Sequence, residues 1–335
     1  MDPDRPPAVA GFATMTPRIV TPENAKQLTR LRQLGEPTLH PDYWGQVLTF
    51  DPRSRLLVSM VLGSKGRLRW WDLQDELPHP RVVQPLPGGL EAVVLPDAQT
   101  IMSVTVGGQL QAWSAADGRA LRSAHLGLTT SGIDLSRQGD LLLVAGVSGD
   151  LRLWDVAHWR PLRDLEPASA LLYGCALSAD ATLAAAGAAD DRGENETQGS
   201  IRIWDVATGA SRGVISVQAS RVWDVAFTPS GNLLAAGTSV DDIILVDVVS
   251  MKVVGTLKGP PAGAWRLSFN SDGSLLAIGA DTGAFVVLRT DGGGCVHAYS
   301  DKDDQQASAA VFSPDGRFVA WGEDLAQVGV WGVDA

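Results

Sequence analysis

The chain has 335 residues, 45% of them hydrophobic and 19% charged, and its formal net charge is −11. This composition is typical of a folded globular protein, and a strongly acidic surface repels polyanions, so we expect no nucleic-acid partner. No apolar run approaches the roughly 18 residues that a membrane-spanning helix needs, and the acidic N-terminus has no signal peptide, so we expect no membrane association.

The first residues differ in composition from the rest. Residues 1–19 contain Pro3, Pro6, Pro7 and Pro17, which predicts a flexible tail before a single folded domain at 20–335. The chain has two cysteines, Cys175 and Cys295, far apart in the sequence. Free thiols without an export signal favour a reducing compartment, so we expect a cytoplasmic protein.

A motif recurs every 42 residues or so from residue 67 onward, with one longer interval before the fourth copy. Its clearest copies are RLRWWDL (67–73), DLRLWDV (150–156) and SIRIWDV (200–206). The apolar anchors of the seven copies are Trp71, Trp113, Trp154, Trp204, Val246, Leu288 and Trp331. A second series of apolar residues precedes a turn in each copy: Phe50, Leu95, Leu135, Leu177, Phe227, Phe269 and Phe312. Two series in step over seven copies indicate seven structural repeats.

These motifs resemble the WD-repeat family over residues 22–335. The resemblance implies an all-β fold, a seven-bladed β-propeller with four antiparallel strands in each blade. The last copy ends after its third strand, so we expect NAKQLTRLRQLG (24–35) to supply the missing strand and close the ring. A helix is the competing interpretation of that segment, because Ala, Lys, Gln, Leu and Arg favour helices.

The chain departs from the family pattern in its histidines. The Gly-His pair of the family is absent, and the five histidines (His40, His79, His125, His158 and His297) map to fourth strands or the adjacent loops. Zinc or iron sites need several imidazoles or thiolates at one locus, so we expect no metal, no cofactor and no catalytic residues. The insertion DDRGENETQG (190–199) clusters carboxylates but matches no calcium loop, which favours a solvated flexible loop.

The strongest functional signal is aromatic. Four residues before the turn anchor, blades four to six place Tyr173, Trp223 and Trp265, and Trp44 lies nearby in blade one. This position opens the innermost strand at the mouth of the central channel, on the face we call the top. Aromatic residues beside arginines, here Arg221 and Arg266, are typical of interface hot spots. Packing between blades is the alternative role of these rings.

The loops of the same face are acidic, with Asp241, Asp242 and Asp281 among them. Such carboxylates either keep the protein soluble or attract a basic peptide. We therefore expect a non-catalytic protein-interaction scaffold that binds a partner peptide or loop on its top face. The alternative is a propeller enzyme or small-molecule binder that uses the central channel, with Asp134 and Asp224 as its best candidate residues.

Overall fold

In a computed structural model the protein forms seven β-sheets arranged as the blades of a ring. The structure describes residues 17–37, 45–75, 79–191, 197–261, 263–280, 284–300, 307–323 and 326–334. The seven-bladed propeller predicted from the repeat is confirmed. Within the described residues, each blade contains a sheet of four antiparallel strands ordered from the channel outward, and blade one carries one additional short strand.

The strands of blades one to three follow the repeat in sequence order. Blade one contains β2 (Gly45–Phe50), β3 (Leu56–Val61), β4 (Arg67–Asp72) and β5 (Val82–Pro85). Blade two contains β6 (Gly89–Val94), β7 (Thr100–Thr105), β8 (Gln109–Ser114) and β9 (Ala120–His125). Blade three contains β10 (Thr130–Leu135), β11 (Leu141–Gly146), β12 (Leu151–Asp155) and β13 (Arg160–Asp164).

Blades four to six have the same plan. Blade four contains β14 (Leu171–Leu177), β15 (Leu183–Asp191), β16 (Thr197–Asp205) and β17 (Ser211–Ser216). Blade five contains β18 (Val222–Phe227), β19 (Leu233–Thr238), β20 (Asp242–Asp247) and β21 (Lys252–Lys258). Blade six contains β22 (Ala264–Phe269), β23 (Leu275–Ala280), β24 (Ala284–Arg289) and β25 (Cys295–Ser300).

Blade seven joins the two ends of the chain. Its inner strands are β27 (Ala310–Phe312), β28 (Phe318–Gly322) and β29 (Val328–Gly332), and its outermost strand is β1 (Thr29–Leu34). The short β26 (Ala307–Ser308) pairs with β2 of blade one in parallel. β1 pairs with β29 antiparallel, so the predicted closure by the N-terminal segment is confirmed. The competing helix is limited to one 3₁₀ turn at Ala25–Gln27.

The ring-bound segment begins before residue 20. Arg18 forms a β-bridge with Val333, and its backbone N–H donates to the Val333 carbonyl at 3.0 Å. The boundary after residue 19 stays a prediction, and Arg18, just before it, already pairs with the end of blade seven. The flexible tail predicted for 1–19 otherwise lies outside the described residues, which begin at 17.

Apolar residues form one core cluster at each interface between neighbouring blades. The interface between blades seven and one contains Leu34 of β1 together with Leu57 and Trp71 of blade one. The interface between blades four and five contains Ile203 and Leu234. Seven such clusters accompany seven blades, so burial of apolar surface holds every blade to both neighbours.

The anchor of the second repeat lies one residue earlier than predicted. Val94 pairs with Ile101 as Phe227 pairs with Leu234, so Val94, not Leu95, is the equivalent of Phe227. In six blades the residue after the anchor is polar and accepts the backbone N–H five residues later, as Thr228 Oγ1 does from Leu233 at 3.2 Å. In blade two Leu95 occupies the position after the anchor. Because its side chain is apolar, the sequence pattern mistakes it for the anchor itself.

The insertion in blade four is partly ordered. Asp190 pairs with Gln198 and Asp191 with Thr197, so its two ends extend the hairpin of β15 and β16. Arg202 forms an ion pair with Asp190. The flexible loop predicted for 190–199 is therefore wrong for its two ends, because backbone pairing continues into them, and 192–196 lie outside the described residues.

Candidate binding face

The top face carries the loops between second and third strands and the loops that enter each first strand. A β-bulge interrupts the pairing of several innermost strands near this face. In blade five, Val222 pairs with Thr238 and Asp224 with Gly237, which leaves Trp223 in the bulge. Trp265 occupies the same position in blade six, and Tyr173 lies in the corresponding irregularity of blade four. A bulge redirects its extra residue away from the ladder, so these three aromatic residues are set apart from the regular strand pattern.

Tyr173 and Trp223 contact each other across the boundary between blades four and five. Their ring centroids are 5.0 Å apart with an interplanar angle of 69°, an edge-to-face arrangement. The guanidinium carbon of Arg221 lies 4.8 Å from the centroid of Trp223. All three side chains are partly exposed. We call Tyr173, Trp223 and Arg221 the top-face stack.

Two hydrogen bonds hold the loop that carries Arg221. The backbone N–H of Ser239 donates to the Arg221 carbonyl at 3.0 Å, and the hydroxyls of Ser220 and Ser239 are 2.9 Å apart. Leu171 at the start of β14 and Val240 in the adjoining loop are exposed apolar residues. The stack is therefore a fixed aromatic surface with further apolar area on its own two blades.

Trp265 and Arg266 do not join the stack. Trp265 is partly buried and packs against the core cluster shared by blades one and two, on the other side of the channel. Arg266 lies 5.5 Å from the Trp265 ring centroid, and its guanidinium forms an ion pair with Glu91 of blade two. Its Nη1 lies 3.5 Å from Oδ1 of Asp224. Arg266 therefore lies in the channel wall, where it contacts carboxylates of blades two and five and borders the central cavity.

Three carboxyl groups of the channel wall, those of Glu91, Asp224 and Asp134, have raised pKa values. Burial raises the pKa of Glu91, and the nearby Arg266 and the amide of Ile133 only partly oppose this. Burial also raises the pKa of Asp224 to about 6, against the lowering effect of Arg266 and the Leu267 amide. Asp134 has no arginine partner among the described residues, and burial raises its pKa to about 7. The channel wall therefore holds carboxyl groups that gain protons more readily than exposed ones.

These carboxylates also connect neighbouring blades. Oδ2 of Asp134 accepts the backbone N–H of Leu177 at 2.7 Å, and Oδ2 of Asp224 accepts that of Leu267 at 2.9 Å. Oε2 of Glu91 accepts the N–H of Ile133 at 2.6 Å. Each bond joins the innermost strand of one blade to that of the next. The two residues proposed for channel chemistry, Asp134 and Asp224, thus have a structural role that accounts for their burial.

The central channel contains a cavity of about 570 Å³. It extends from the cluster of Glu91, Asp224 and Arg266 to turn residues of the opposite face such as Pro229 and Pro314. Buried Cys175 also lines it, and burial raises the pKa of its thiol well above the ordinary value. In the described residues no three His, Cys, Asp or Glu side chains have an arrangement that could hold a metal ion.

The predicted acidic rim is only partly described. Asp241 is exposed, whereas Asp242 forms an ion pair with Lys258 of the same blade. Glu323, which follows β28, is buried and pairs with Arg30 of β1 at 3.1 Å. Trp44 and Asp281 lie outside the described residues.

Sequence reasoning missed Glu91 as the partner of Arg266, as well as the exposed Leu171 and Val240. Glu91 was missed because the sequence pattern places the anchor of blade two one residue too late. In the structure the residue that corresponds to Trp223 is Leu90, in the bulge between Gly89 and Glu91. The polar residue that follows the anchor in six blades was the available signal for the correct register.

Comparison with known proteins supports the repeat. Residues 210–246 match the family described as WD domain, G-beta repeat. This range contains β17, β18 and β19 and all but the last residue of β20. The chain is also similar to WD repeat-containing protein SL1-17 of Schistosoma mansoni, with 26% identity over 157 residues. The aligned region is 47% of this chain and 49% of that protein, so it spans about half of the relative's length.

Among the described residues, no helical segment has the length and hydrophobicity that spanning a bilayer requires. The chain thus forms a closed ring of seven blades, one of whose repeats matches the WD domain, G-beta repeat family, and it is similar to a WD repeat-containing protein; WD-repeat propellers typically serve as scaffolds for protein interactions.

Proposed function

We propose that the protein is a non-catalytic scaffold that binds a peptide or loop of a partner protein on its top face. The observation that carries this proposal is the top-face stack, in which Tyr173, Trp223 and Arg221 are fixed in contact and remain partly exposed. Aromatic residues and arginine supply much of the affinity at protein interfaces because they bury a large area with little loss of side-chain freedom.

The surroundings of the stack suggest the partner's chemistry. Leu171 and Val240 extend the apolar area, and Asp241 next to Val240 adds an exposed carboxylate. A partner segment with an apolar residue for the stack and a basic residue for the carboxylates fits this surface. Trp44 and Asp281 are part of the proposal only because of their positions in the sequence. Arg266 is part of it as a residue that fixes the positions of Trp265 and of the channel wall.

A channel function is less well supported. The cavity has room for a small molecule, but Asp134 and Asp224 both use carboxylate oxygens to accept backbone N–H groups of the next blade. That arrangement favours a structural role for both residues. A cytoplasmic location, inferred from the free thiols, completes the proposal.

Affinity capture with substituted proteins tests the top face. Tagged wild-type protein and the variants Tyr173→Ala and Trp223→Ala are used to capture proteins from cell extract, and the captured proteins are quantified by mass spectrometry. Trp159→Ala is the matched control, because Trp159 is also a partly buried tryptophan but lies in the turn between β12 and β13 on the opposite face. We expect one set of proteins to be lost with both top-face variants and retained with the control.

Direct binding then checks the partner's chemistry. A purified partner from that set should bind Trp223→Ala at least about tenfold more weakly than wild type, a typical loss for an aromatic hot spot. Binding to Asp241→Asn should show a lower association rate and a weaker dependence on salt, because an exposed carboxylate acts mainly during encounter. If folded Tyr173→Ala and Trp223→Ala variants capture the same proteins as wild type, the proposal is wrong.

A further inference from the structure

A second site is suggested by a cleft on the bottom face, where blades one and two meet. It has a volume of about 550 Å³ and is formed by turns between first and second strands and between third and fourth strands. Four arginines line it: Arg53, Arg55, Arg81 and Arg119. All four are exposed. A concentration of guanidinium groups in one cleft is unexpected for a chain whose net charge is −11.

One buried carboxylate fixes two of these arginines. Nε and Nη2 of Arg55 donate to Oδ2 of Asp72 at 2.8 and 2.5 Å, and Nη2 of Arg81 lies 3.0 Å from the same oxygen. Nε and Nη2 of Arg81 also donate to the partly exposed Asp75 carboxylate at 2.8 and 3.1 Å. The Asp72 side chain has no exposed surface. Burial alone would raise the pKa of Asp72, but the hydrogen bond from Arg55 and the nearby Arg81 bring it below the ordinary value. Asp72 therefore stays charged and holds two guanidinium groups side by side.

The other carboxylates that line the cleft face their own turns. Oδ1 of Asp51 accepts the backbone N–H groups of Arg55 and Leu56, both at 2.6 Å. Oδ1 of Asp97 accepts those of Gln99 and Thr100 at 2.7 and 3.0 Å. These two carboxylates therefore do not pair with the arginines of the cleft, whereas the guanidinium groups of Arg55 and Arg81 contact Asp72 and Asp75.

Arg53 and Arg119 complete the cationic lining from the two blades. Within the part of the chain that the structure describes, neither side chain forms an ion pair; the Asp117 carboxylate accepts the backbone N–H of Arg119 at 3.1 Å and also interacts with Ser114. The corresponding cleft between blades four and five offers a comparison. It has a volume of about 350 Å³ and is lined by residues such as Ser178, Asp180 and Ser230, with no arginine or lysine among them. The arginines are therefore specific to one of two equivalent positions in the ring.

We propose that this cleft binds a dianionic phosphate monoester group. Arginine presents planar N–H pairs that match the oxygens of a phosphate, and the guanidinium remains charged at all physiological pH values. Arg55 is already oriented by Asp72 and Arg81 by Asp72 and Asp75, so both lose little side-chain freedom on binding. Arg53 of blade one and Arg119 of blade two line the same cleft, and their guanidinium groups supply the further contacts to the anion. The site is on the face opposite the top-face stack and does not depend on the proposed partner site.

Calorimetric titration of the full chain with three small anions tests the proposal. The probes are inorganic phosphate, N-acetyl-O-phosphoserine amide and sulfate. We expect saturable one-site binding of phosphate ligands that strengthens between about pH 5.5 and 7.5, because the second proton of a phosphate monoester leaves near pH 6. Sulfate stays dianionic over this range and should show no such strengthening. Binding of the phosphoserine derivative alone would indicate a phosphorylated partner, and equal binding of inorganic phosphate would indicate a free ligand.

Substitutions locate the site. The double variant Arg53→Ala/Arg119→Ala should bind phosphate at least about tenfold more weakly, since two charge-assisted contacts are lost. Arg212→Ala is the matched control, because Arg212 is an exposed arginine on β17 of blade four. Arg119→Glu alone is a second variant with an opposite charge in the cleft and should abolish binding. The absence of saturable binding by wild type, or equal affinities of wild type and the folded variants, would overturn the proposal.

Discussion

Arg266 and Glu91 form an ion pair across the central channel, between blades six and two, which are not neighbours in the ring. Asp224 of blade five lies 3.5 Å from the same guanidinium. One arginine thus balances two buried carboxylates from different blades. A blade otherwise packs mainly against its two neighbours, so this contact couples opposite sides of the propeller.

Removing Arg266 should destabilise the protein strongly. The variant Arg266→Met leaves Glu91 and Asp224 buried without a cation, and breaking a buried pair in this way costs about 3–5 kcal/mol. Urea denaturation at pH 7 measures the free energy of unfolding. The control Arg212→Met should change it by less than about 0.5 kcal/mol, because exposed substitutions of this kind have small effects.

A double-mutant cycle separates the interaction energy between Arg266 and Glu91 from the effects of the two single substitutions. Glu91→Gln removes one charge and keeps an oxygen that can accept the Ile133 N–H. The combined variant Arg266→Met/Glu91→Gln should lose less stability than the sum of the single variants, with a coupling of about 1 kcal/mol or more. Additive losses would show that the two side chains do not interact in solution.

Asp134 should make stability decrease as the pH rises from about 4 to 7. Its pKa is raised to about 7 in the folded protein and is near 4 in the unfolded chain, so over this range the folded state binds more protons than the unfolded state. The free energy of unfolding therefore falls with pH, and the loss is complete above the folded pKa. Asp134→Asn cannot ionise and should remove this component.

The measurement compares urea unfolding of wild type and Asp134→Asn at several pH values. The difference between their stabilities should change across pH 4 to 7, in favour of the variant at higher pH, and should be constant above that range. Asp180→Asn is the control, because hydrogen bonds to Ser178 and Thr182 lower the pKa of that exposed carboxylate and move its effect to more acidic pH. Parallel curves for wild type and Asp134→Asn would contradict the assignment.

Closure of the ring should depend on the single strand β1. Leu34 is fully buried in the cluster between blades seven and one. Leu34→Ala should therefore lower the free energy of unfolding by about 2–5 kcal/mol, the usual range for a leucine truncated in a core. Leu162→Ala on β13 is the control, because Leu162 is 50% exposed and its loss should have little effect. Equal stabilities of both variants would mean that the ring holds without this contact.

The sequence predicts the number of blades and the closing strand because apolar anchors repeat once per blade and every repeat buries the same positions. It fails where one residue changes the register. Leu95 imitates an anchor, and the bulges at Trp223 and Trp265 reverse the alternation that decides which side chain faces the channel. The contact of Arg266 with Glu91 depends on the curvature of the whole ring, which no local pattern encodes. For the same reason the arginine cleft becomes visible only when blades one and two are side by side.

Gly174 should be essential for the position of the top-face stack. It follows Tyr173 in the irregular part of β14, and a Cβ at this residue would lie 2.2 Å from Oδ1 of Asp224 and 3.0 Å from the Trp223 carbonyl oxygen. Such contacts cannot be relieved without moving the innermost strand of blade five. The Trp223 carbonyl oxygen belongs to the backbone of that strand, and Oδ1 of Asp224 belongs to a buried ion pair. Gly174→Ala should therefore reduce stability by about 1–3 kcal/mol, as overpacking does in well-packed interiors.

The same substitution should also change the stack. Fluorescence of the tryptophans and binding of the captured partner report the movement of Trp223, and both should differ from wild type in folded Gly174→Ala. Gly107→Ala is the matched control, since the nearest atom to a Cβ there is the Thr105 hydroxyl at 3.9 Å. If Gly174→Ala binds the partner as wild type does, the close packing of blades four and five is not what positions Trp223, and the bulge alone must do so.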